Sequence, residues 1–130
     1  MRLSVNRKIS PMEQHTTYAA VVGHTLRDFR EKGGFDQHAM AKKLGITQPS
    51  WSRIERGDVA ISIEQLSKIA DALSLQPNAI IKKADDSASA LRGLNVQVDD
   101  DRTKTAKGSD GKLLVAAALG AIIAYALSSR

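Results

Sequence analysis

The sequence predicts an all-α fold, in which a five-helix domain is followed by a flexible linker and a C-terminal apolar helix. Helix-capping residues recur at short intervals between positions 10 and 84. No run of alternating β-branched residues in that zone is long enough for a strand. We therefore expect a domain over residues 1–84 that includes an N-terminal extension, a linker over 85–111 and an apolar helix over 112–130.

The first predicted helix begins at a capping box and ends at a pair of glycines. Residues 10–13, SPME, hold an N-cap serine, a proline at the first helical position and a glutamate at the third. An apolar stripe then recurs at spacings close to three, four and seven, through Val21, Val22, Leu26 and Phe29. The helix is expected to run to about Lys32, and Gly33 with Gly34 to stop it.

Two short helices around a tight turn are predicted next. Asp36 can cap the first of them, and Gly45 suits the left-handed conformation at its end. Thr47 can cap the following helix over residues 48–56, which Gly57 ends. Two short helices joined in this way have the geometry of a helix-turn-helix.

Two further helices complete the predicted domain. Ser62 and Gln65 form a capping box before an apolar pattern of Leu66, Ile69, Ala70 and Leu73. Pro77 opens a short fifth helix that contains Ile80 and Ile81. These five helices account for the apolar residues up to position 84.

The linker is predicted from its composition. Residues 85–111 are rich in Asp, Ser, Gly, Lys and Thr and contain few large apolar side chains. Such a segment cannot bury enough apolar surface to offset the entropy lost on ordering. Residues 94–98, LNVQV, are its candidate for local order.

The positive charge of the chain lies in the predicted domain. The net charge is +5, and residues 1–84 hold 13 Lys and Arg against 8 Asp and Glu, whereas the remainder holds 6 of each. A basic compact domain attracts polyanions, of which nucleic acid is the commonest. Cysteine is absent, which excludes disulfides and thiolate sites, and the N-terminus lacks the apolar region of a secretory signal. We therefore expect a cytoplasmic, nucleoid-associated protein.

The stretch over residues 36–75 resembles, without a gap, the DNA-binding domain of the phage-repressor and Cro-like helix-turn-helix family. The matching residues are Gln37, Ala41, Gly45, Thr47, Gln48 and the run SRIERG at 52–57. The resemblance covers about residues 18–84 and implies a five-helix DNA-binding fold. Residues 58–61, DVAI, depart from the family, which often has a more polar stretch with a proline there.

The predicted helix over residues 48–56 has two different faces on a helical wheel. Trp51 and Ile54 share one face, which the resemblance assigns to the core. The candidates for base readout are Gln48, Pro49, Ser52 and Arg53. Gln48 suits the N6 and N7 edge of adenine and Arg53 the O6 and N7 edge of guanine, each pair giving about 1–3 kcal/mol of discrimination.

The resemblance also implies contacts to the DNA backbone. Gln37 and Ser50 are expected to contact phosphates, aided by N–H groups at the starts of their helices. Further phosphate candidates are Thr47, Lys43, Arg56 and Arg30, and Lys42 adds positive charge beside them. Glu55 is expected to brace the following loop instead of contacting DNA.

The C-terminal segment is a separate problem, because residues 113–127 carry no charge. A helix of fifteen residues is about 22 Å long, which is short for a bilayer core of about 30 Å. Its small and flanking apolar residues are Ala116, Leu119, Gly120, Ile123, Ala124 and Leu127. Three roles stay open, namely self-association into a homodimer or higher oligomer, a membrane anchor, and a helix covered by a partner protein. Self-association is favoured, because the run is short and rich in alanine.

Nothing in the sequence indicates catalysis. His15, His24 and His38 lack metal-ligand spacing, and no phosphate loop, HExxH pair or GxSxG elbow is present. We therefore expect no enzyme activity, no cofactor and no metal. The favoured function is a transcriptional regulator that binds double-stranded operator DNA as a dimer. The alternatives are a DNA-tethering scaffold, a membrane-anchored adaptor, or an antitoxin-type repressor whose tail binds a partner protein.

Overall fold

The computed structural model describes residues 14–101, 112–113 and 116–129, and most of these residues are helical. The helices are α1 (Tyr18–Lys32), α2 (Gln37–Leu44), α3 (Gln48–Arg56), α4 (Ile63–Ala72), α5 (Pro77–Gly93) and α6 (Ala116–Ser128). The strands are β1 (Gln14–Thr17), β2 (Gln97–Asp99) and β3 (Lys112–Leu113). The predicted fold class, a five-helix domain with a C-terminal helix, is confirmed.

The ends of α2, α3 and α4 agree with the predicted caps. The side chains of Asp36, Thr47 and Ser62 each accept a hydrogen bond from the backbone N–H three residues on. Gly45 and Gly57 end α2 and α3 with φ values of 70° and 78°. These positive values favour glycine, because other residues pay a steric cost there.

The start of α1 differs from the prediction. The helix begins at Tyr18, where Thr17 caps it by accepting a hydrogen bond from the N–H of Ala20. The four residues before it form β1, the central strand of a parallel sheet with the order β2-β1-β3. The expectation of no strand in this zone is therefore wrong, because β1 depends on pairing with segments about 80 and 100 residues further along. The predicted capping box at residues 10–13 lies outside the described residues.

The fifth helix is longer than predicted and occupies the first part of the expected linker. It has 17 residues and buries Ala84, Ala88 and Leu91 on its inner face. Tyr18 on α1 donates a hydrogen bond of 2.6 Å to Asp85. Burial and this bond raise the pKa of Tyr18 to about 12. The small alanine and serine side chains after residue 84 pack well on a helix face. The polar composition of this segment therefore led to the wrong prediction of a linker where the chain forms a packed helix. The LNVQV segment ends with the first two residues of β2, and residues 102–111 lie outside the described part.

The hydrophobic core is continuous across the helices. The largest fully buried apolar side chains are Trp51, Leu26, Met40, Ile69, Ile80, Leu91, Leu119 and Val21. They come from α1 through α6 and include the α3 tryptophan that the helical wheel assigned to the core. The core therefore holds α3 by one face and leaves its other face free.

The C-terminal helix packs on α1 and α5 of its own chain. Leu119, Ile123 and Ala126 are at most 3% exposed. The helix begins at Ala116, later than predicted, because Lys112 and the next residue pair with β1 as β3. Within the described residues, no helix combines the length and the apolar character needed to cross a membrane.

This packing corrects the role expected for several residues of the C-terminal helix. We expected six residues to face lipid or another molecule, namely Ala116, Leu119, Gly120, Ile123, Ala124 and Leu127, of which the side chain of Ala116 lies outside the described part of the chain. Leu119 and Ile123 instead join the core of the chain, Leu127 packs partly against it, and Gly120 lies against His24 of α1. Ala124 is exposed. One face of the apolar helix is therefore covered within the chain by α1 and α5, whereas Ala121, Ala124 and Tyr125 on its other side are exposed.

Gly23→Ala is expected to lower the free energy of unfolding by about 1–3 kcal/mol, despite the higher helix propensity of alanine. A Cβ at Gly23 would overlap the backbone carbonyl groups of Ile54 and Glu55, where α1 crosses α3. Gly93→Ala is the matched control, because a Cβ there meets nothing within 4 Å. Urea unfolding of both variants tests this, and equal stabilities would contradict the close crossing of the two helices.

Candidate nucleic-acid interface

The turn between α2 and α3 fixes the angle at which the two helices meet. Gly45 adopts the left-handed conformation, and the N–H of Ile46 donates a hydrogen bond of 3.0 Å to the carbonyl of Ala41. Ala41 of α2 is buried, and its small side chain allows α2 and α3 to pack closely. Thr47 then caps α3 and also donates a hydrogen bond of 2.9 Å from its hydroxyl to Ser50. The start of α3 is thus held rigidly.

The two faces of α3 differ as the helical wheel predicted. Trp51 is fully buried and Ile54 is 5% exposed. The residues of the outer face and of the N-terminal end are Gln48, Pro49, Ser52, Arg53 and Arg56. Pro49, Arg53 and Arg56 are exposed, whereas Gln48 and Ser52 are half-buried. All four residues predicted to read bases therefore lie on one accessible side of the helix or at its first turn.

Glu55 is the centre of a buried hydrogen-bond network. It is 5% exposed, and its carboxylate accepts hydrogen bonds from Arg30, Gln37 and Trp51. These donors come from α1, α2 and α3. Glu55 is thus a structural brace, but the expectation that it holds the loop after α3 is wrong in its target, because its hydrogen bonds join α1, α2 and α3.

Arg30 does not lie where a phosphate contact was expected. The side chain is buried, with its guanidinium bonded to Glu55 and to the carbonyl of Phe35. Hydrogen bonding to Glu55 raises the pKa of Arg30 above its usual value, against the opposing effect of burial. The structure thus contradicts the expected role of Arg30, because its donors are used inside the protein.

Gln37 connects the network to the surface. Its amide nitrogen donates to Glu55 at 2.8 Å, and its amide oxygen accepts a hydrogen bond of 2.7 Å from the amide nitrogen of Gln48. The orientation of the Gln48 amide follows from this pair. One N–H of Gln48 is occupied, so its second N–H and its oxygen remain, which are the donor and acceptor that the adenine edge requires.

The other charged side chains that were predicted to contact DNA lie on or near α3, and each of them contacts another side chain of the protein. Arg56 is bonded to Asp58 and to Ser52, both at 3.0 Å. Arg53 reaches Ser50 at 3.4 Å. Lys43 on α2 is exposed and lies over the ring of Phe35, 4.9 Å from its centroid. Exposed pairs of this kind are weak, so a phosphate can replace the carboxylate partner of Arg56.

Sequence reasoning missed one member of this surface and the partners of a buried residue beneath it. Asp58 restrains Arg56 at the surface. The buried Glu55 holds the amide of Gln37 and the indole of Trp51. The contact between Trp51 and Glu55 had a signal, because the two residues are four apart and neighbours on a helix surface. The described part of the chain contains no cluster of His, Asp and Glu suited to a metal ion.

Residues 21–80 match the profile of a helix-turn-helix domain. These residues form a helix-turn-helix domain. The chain is similar to candidate HTH-type transcriptional regulatory proteins of Thermococcus kodakarensis, with 33% identity over 73 residues, and of Pyrococcus abyssi, with 31% identity over 75 residues. The match to the first relative covers 54% of this chain and 23% of that protein, and the match to the second covers 55% and 24%. The chain therefore spans only about a quarter of the length of these relatives.

A solved structure extends the likeness of the helix-turn-helix domain. The crystal structure of the clp gene regulator ClgR from Corynebacterium glutamicum superposes with a TM-score of 0.56 and 26% identity. The superposition covers 60% of this chain and 82% of that chain. The helix-turn-helix domain is thus shared in arrangement as well as in sequence.

Proposed function

We propose that the chain is a sequence-specific DNA-binding transcriptional regulator that binds operator DNA through α2 and α3. One observation carries the proposal. The inner face of α3 is fixed in the core by Trp51 and Glu55, while its outer face presents polar side chains that Gln37 and Ser50 orient. The names of the two relatives and of the regulator with the similar structure support the same function.

Base readout is assigned to the N-terminal half of α3. In this proposal the helix enters the major groove, where its first residues meet the base edges. Gln48 binds adenine and Arg53 binds guanine, while Pro49 and Ser52 line the same face against neighbouring bases. Each bidentate pair contributes about 1–3 kcal/mol of discrimination against the wrong base.

Phosphate contacts are assigned to the rim of the same surface. The N–H groups at the starts of α2 and α3 point towards the backbone of the DNA and favour negative charge. The contacting side chains are Gln37, Thr47, Ser50, Lys43 and Arg56. Arg30 is not among them, because it is buried against Glu55.

The proposed regulator acts on the nucleoid, in the cytoplasm, as a homodimer. A dimer binds two half-sites whose centres are about 34 Å apart, or a multiple of that distance, on operator DNA with two-fold symmetry. We place the dimer contact outside the inner face of α6, since Leu119 and Ile123 of that face are used within the chain.

Arg53→Ala and Lys43→Ala are expected to affect DNA binding in different ways. An operator is first selected from random DNA with the full chain, and affinities are then measured on it and on random DNA over a range of salt concentrations. Arg53→Ala should lose about 1–3 kcal/mol of discrimination at one base position. Lys43→Ala should weaken binding to both DNAs equally. It should also reduce the slope of the logarithm of the binding constant against the logarithm of the salt concentration by about one. Equal losses on both DNAs for Arg53→Ala would refute its role in base readout.

A further inference from the structure

A glycine allows α6 to lie directly against a histidine ring of α1. A Cβ added at Gly120 would lie 2.9 Å from the Cε1 atom of His24, closer than real side chains approach. The neighbours of Gly120 along the helix include Leu119, which is buried in the core beside this contact. The imidazole of His24 therefore forms part of the surface on which α6 docks.

The His24 ring also borders a small pocket that is partly open to solvent. The pocket has a volume of about 70 Å³ and lies where α1, α2, α3 and α6 meet. Its lining residues are Ala20, His24, Arg27, Gln37, Glu55, Arg56 and Leu119. The His24 ring thus has the backbone of α6 on one side and the pocket on another, and it is half-buried while α6 is docked.

The surroundings of His24 disfavour its charged form. Burial lowers the pKa of His24, and the cations Arg27 and Lys83 act in the same direction. Asp28 and Glu31 oppose them, but Asp28 is bonded to Lys83 and Lys32 at 3.2 Å each.

The other charged groups near His24 are already paired. Across the pocket, Glu55 is bonded to Arg30 and Arg56 is bonded to Asp58. The α6 helix has no charged residue between 116 and 128 that could stabilise an imidazolium.

We propose that α6 is a pH-sensitive latch, in which it docks through Gly120 on neutral His24 and detaches when His24 is protonated. Detachment exposes the inner face of the helix, with Leu119, Ile123 and Ala126. It leaves the helix-turn-helix domain without its C-terminal cover.

The sign of the pH dependence follows from linkage. His24 released into water regains a pKa near its usual value of about 6.5, above its value in the docked state. The released state therefore binds more protons, so docking is fully stable above about pH 6.5 and weakens as the pH falls below it. Because one proton is taken up, the change cannot exceed about tenfold for each pH unit.

Hydrogen exchange of the full chain, read by mass spectrometry, tests the latch. Protection factors of the α6 amides, corrected for intrinsic exchange rates, are measured at about pH 7.5, 6.5 and 5.5, on both sides of the histidine midpoint. The α6 protection of the wild-type chain should fall several-fold over this range, while the amides of α3 and α4 keep theirs. In His24→Phe, α6 protection should not change with pH. His38→Phe is the control, because His38 is exposed on α2 and its loss should leave the wild-type pH dependence.

A second pair of variants tests the contact itself. Gly120→Ala should lower α6 protection at every pH, since the new methyl group meets the His24 ring. The same substitution should have a smaller effect in a His24→Ala chain, where the ring is absent.

Three results would overturn the latch. The first is wild-type α6 protection that does not change with pH. The second is a pH dependence that persists in His24→Phe but disappears in His15→Gln. That result would assign the pH dependence of α6 docking to the sheet, where the imidazole of His15 lies 3.9 Å from the carboxylate of Asp99. The third is an equal effect of Gly120→Ala with and without the His24 ring.

Discussion

Glu55→Ala is expected to lower the free energy of unfolding by about 3–5 kcal/mol, which is the usual cost of removing one partner of a buried ion pair. The substitution removes the buried carboxylate that Arg30 is bonded to and leaves its guanidinium with the carbonyl of Phe35 and a longer contact, 3.9 Å, to the exposed carboxylate of Glu31. It also removes the acceptor for the indole N–H of Trp51 and for the amide of Gln37. Each donor left buried without a partner adds a desolvation cost. Urea unfolding followed by the fluorescence of Trp51 measures the loss.

The matched control for this prediction is Glu64→Ala. Glu64 is exposed in the first turn of α4, so its removal costs only the weak interaction with the helix dipole, about 0.3–1 kcal/mol. The double variant Arg30→Met with Glu55→Leu should recover the part of the lost stability that comes from the buried charge of Arg30, because an apolar pair of similar volume leaves no such charge. The desolvation cost at Trp51 and Gln37 remains, since both donors still lack their acceptor. A loss below about 1 kcal/mol in Glu55→Ala would contradict the buried network.

The parts of the fold that local chemistry determines could be predicted closely. The caps at Asp36, Thr47 and Ser62 and the glycines at 45 and 57 set the ends of α2, α3 and α4. A cap involves residues within one turn of each other, so the sequence contains all the partners. The outer face of α3 was predictable for the same reason, because it depends only on helical periodicity.

The parts that depend on distant partners could not be predicted. The strand β1 is four polar residues long and exists through its pairing with β2 and β3. Arg30 was expected at the surface because it is basic, but its partner Glu55 lies 25 residues away. The segment after residue 84 has the composition of a linker, yet its small side chains fit against α1. In each case the deciding contact joins residues that no local pattern connects.

Leu119→Ala is expected to lower the free energy of unfolding by about 2–5 kcal/mol, the usual range for a buried leucine replaced by alanine. Leu119 is 1% exposed and lies in the core that α6 shares with α1 and α5. Its loss leaves a cavity that only partial relaxation of α6 can fill. Urea unfolding followed by circular dichroism measures the change, because that signal includes the residues of α6.

Tyr125→Ala on the same helix is the matched control and decides which face of α6 is buried. Tyr125 is 63% exposed, so its replacement should change stability by less than about 0.5 kcal/mol. If the tail instead assembled the protein through its outer face, Tyr125→Ala would cost more than Leu119→Ala and would reduce the mass measured by light scattering. The two substitutions therefore separate a helix that completes its own domain from one that joins two molecules, because each interpretation buries the opposite side chain.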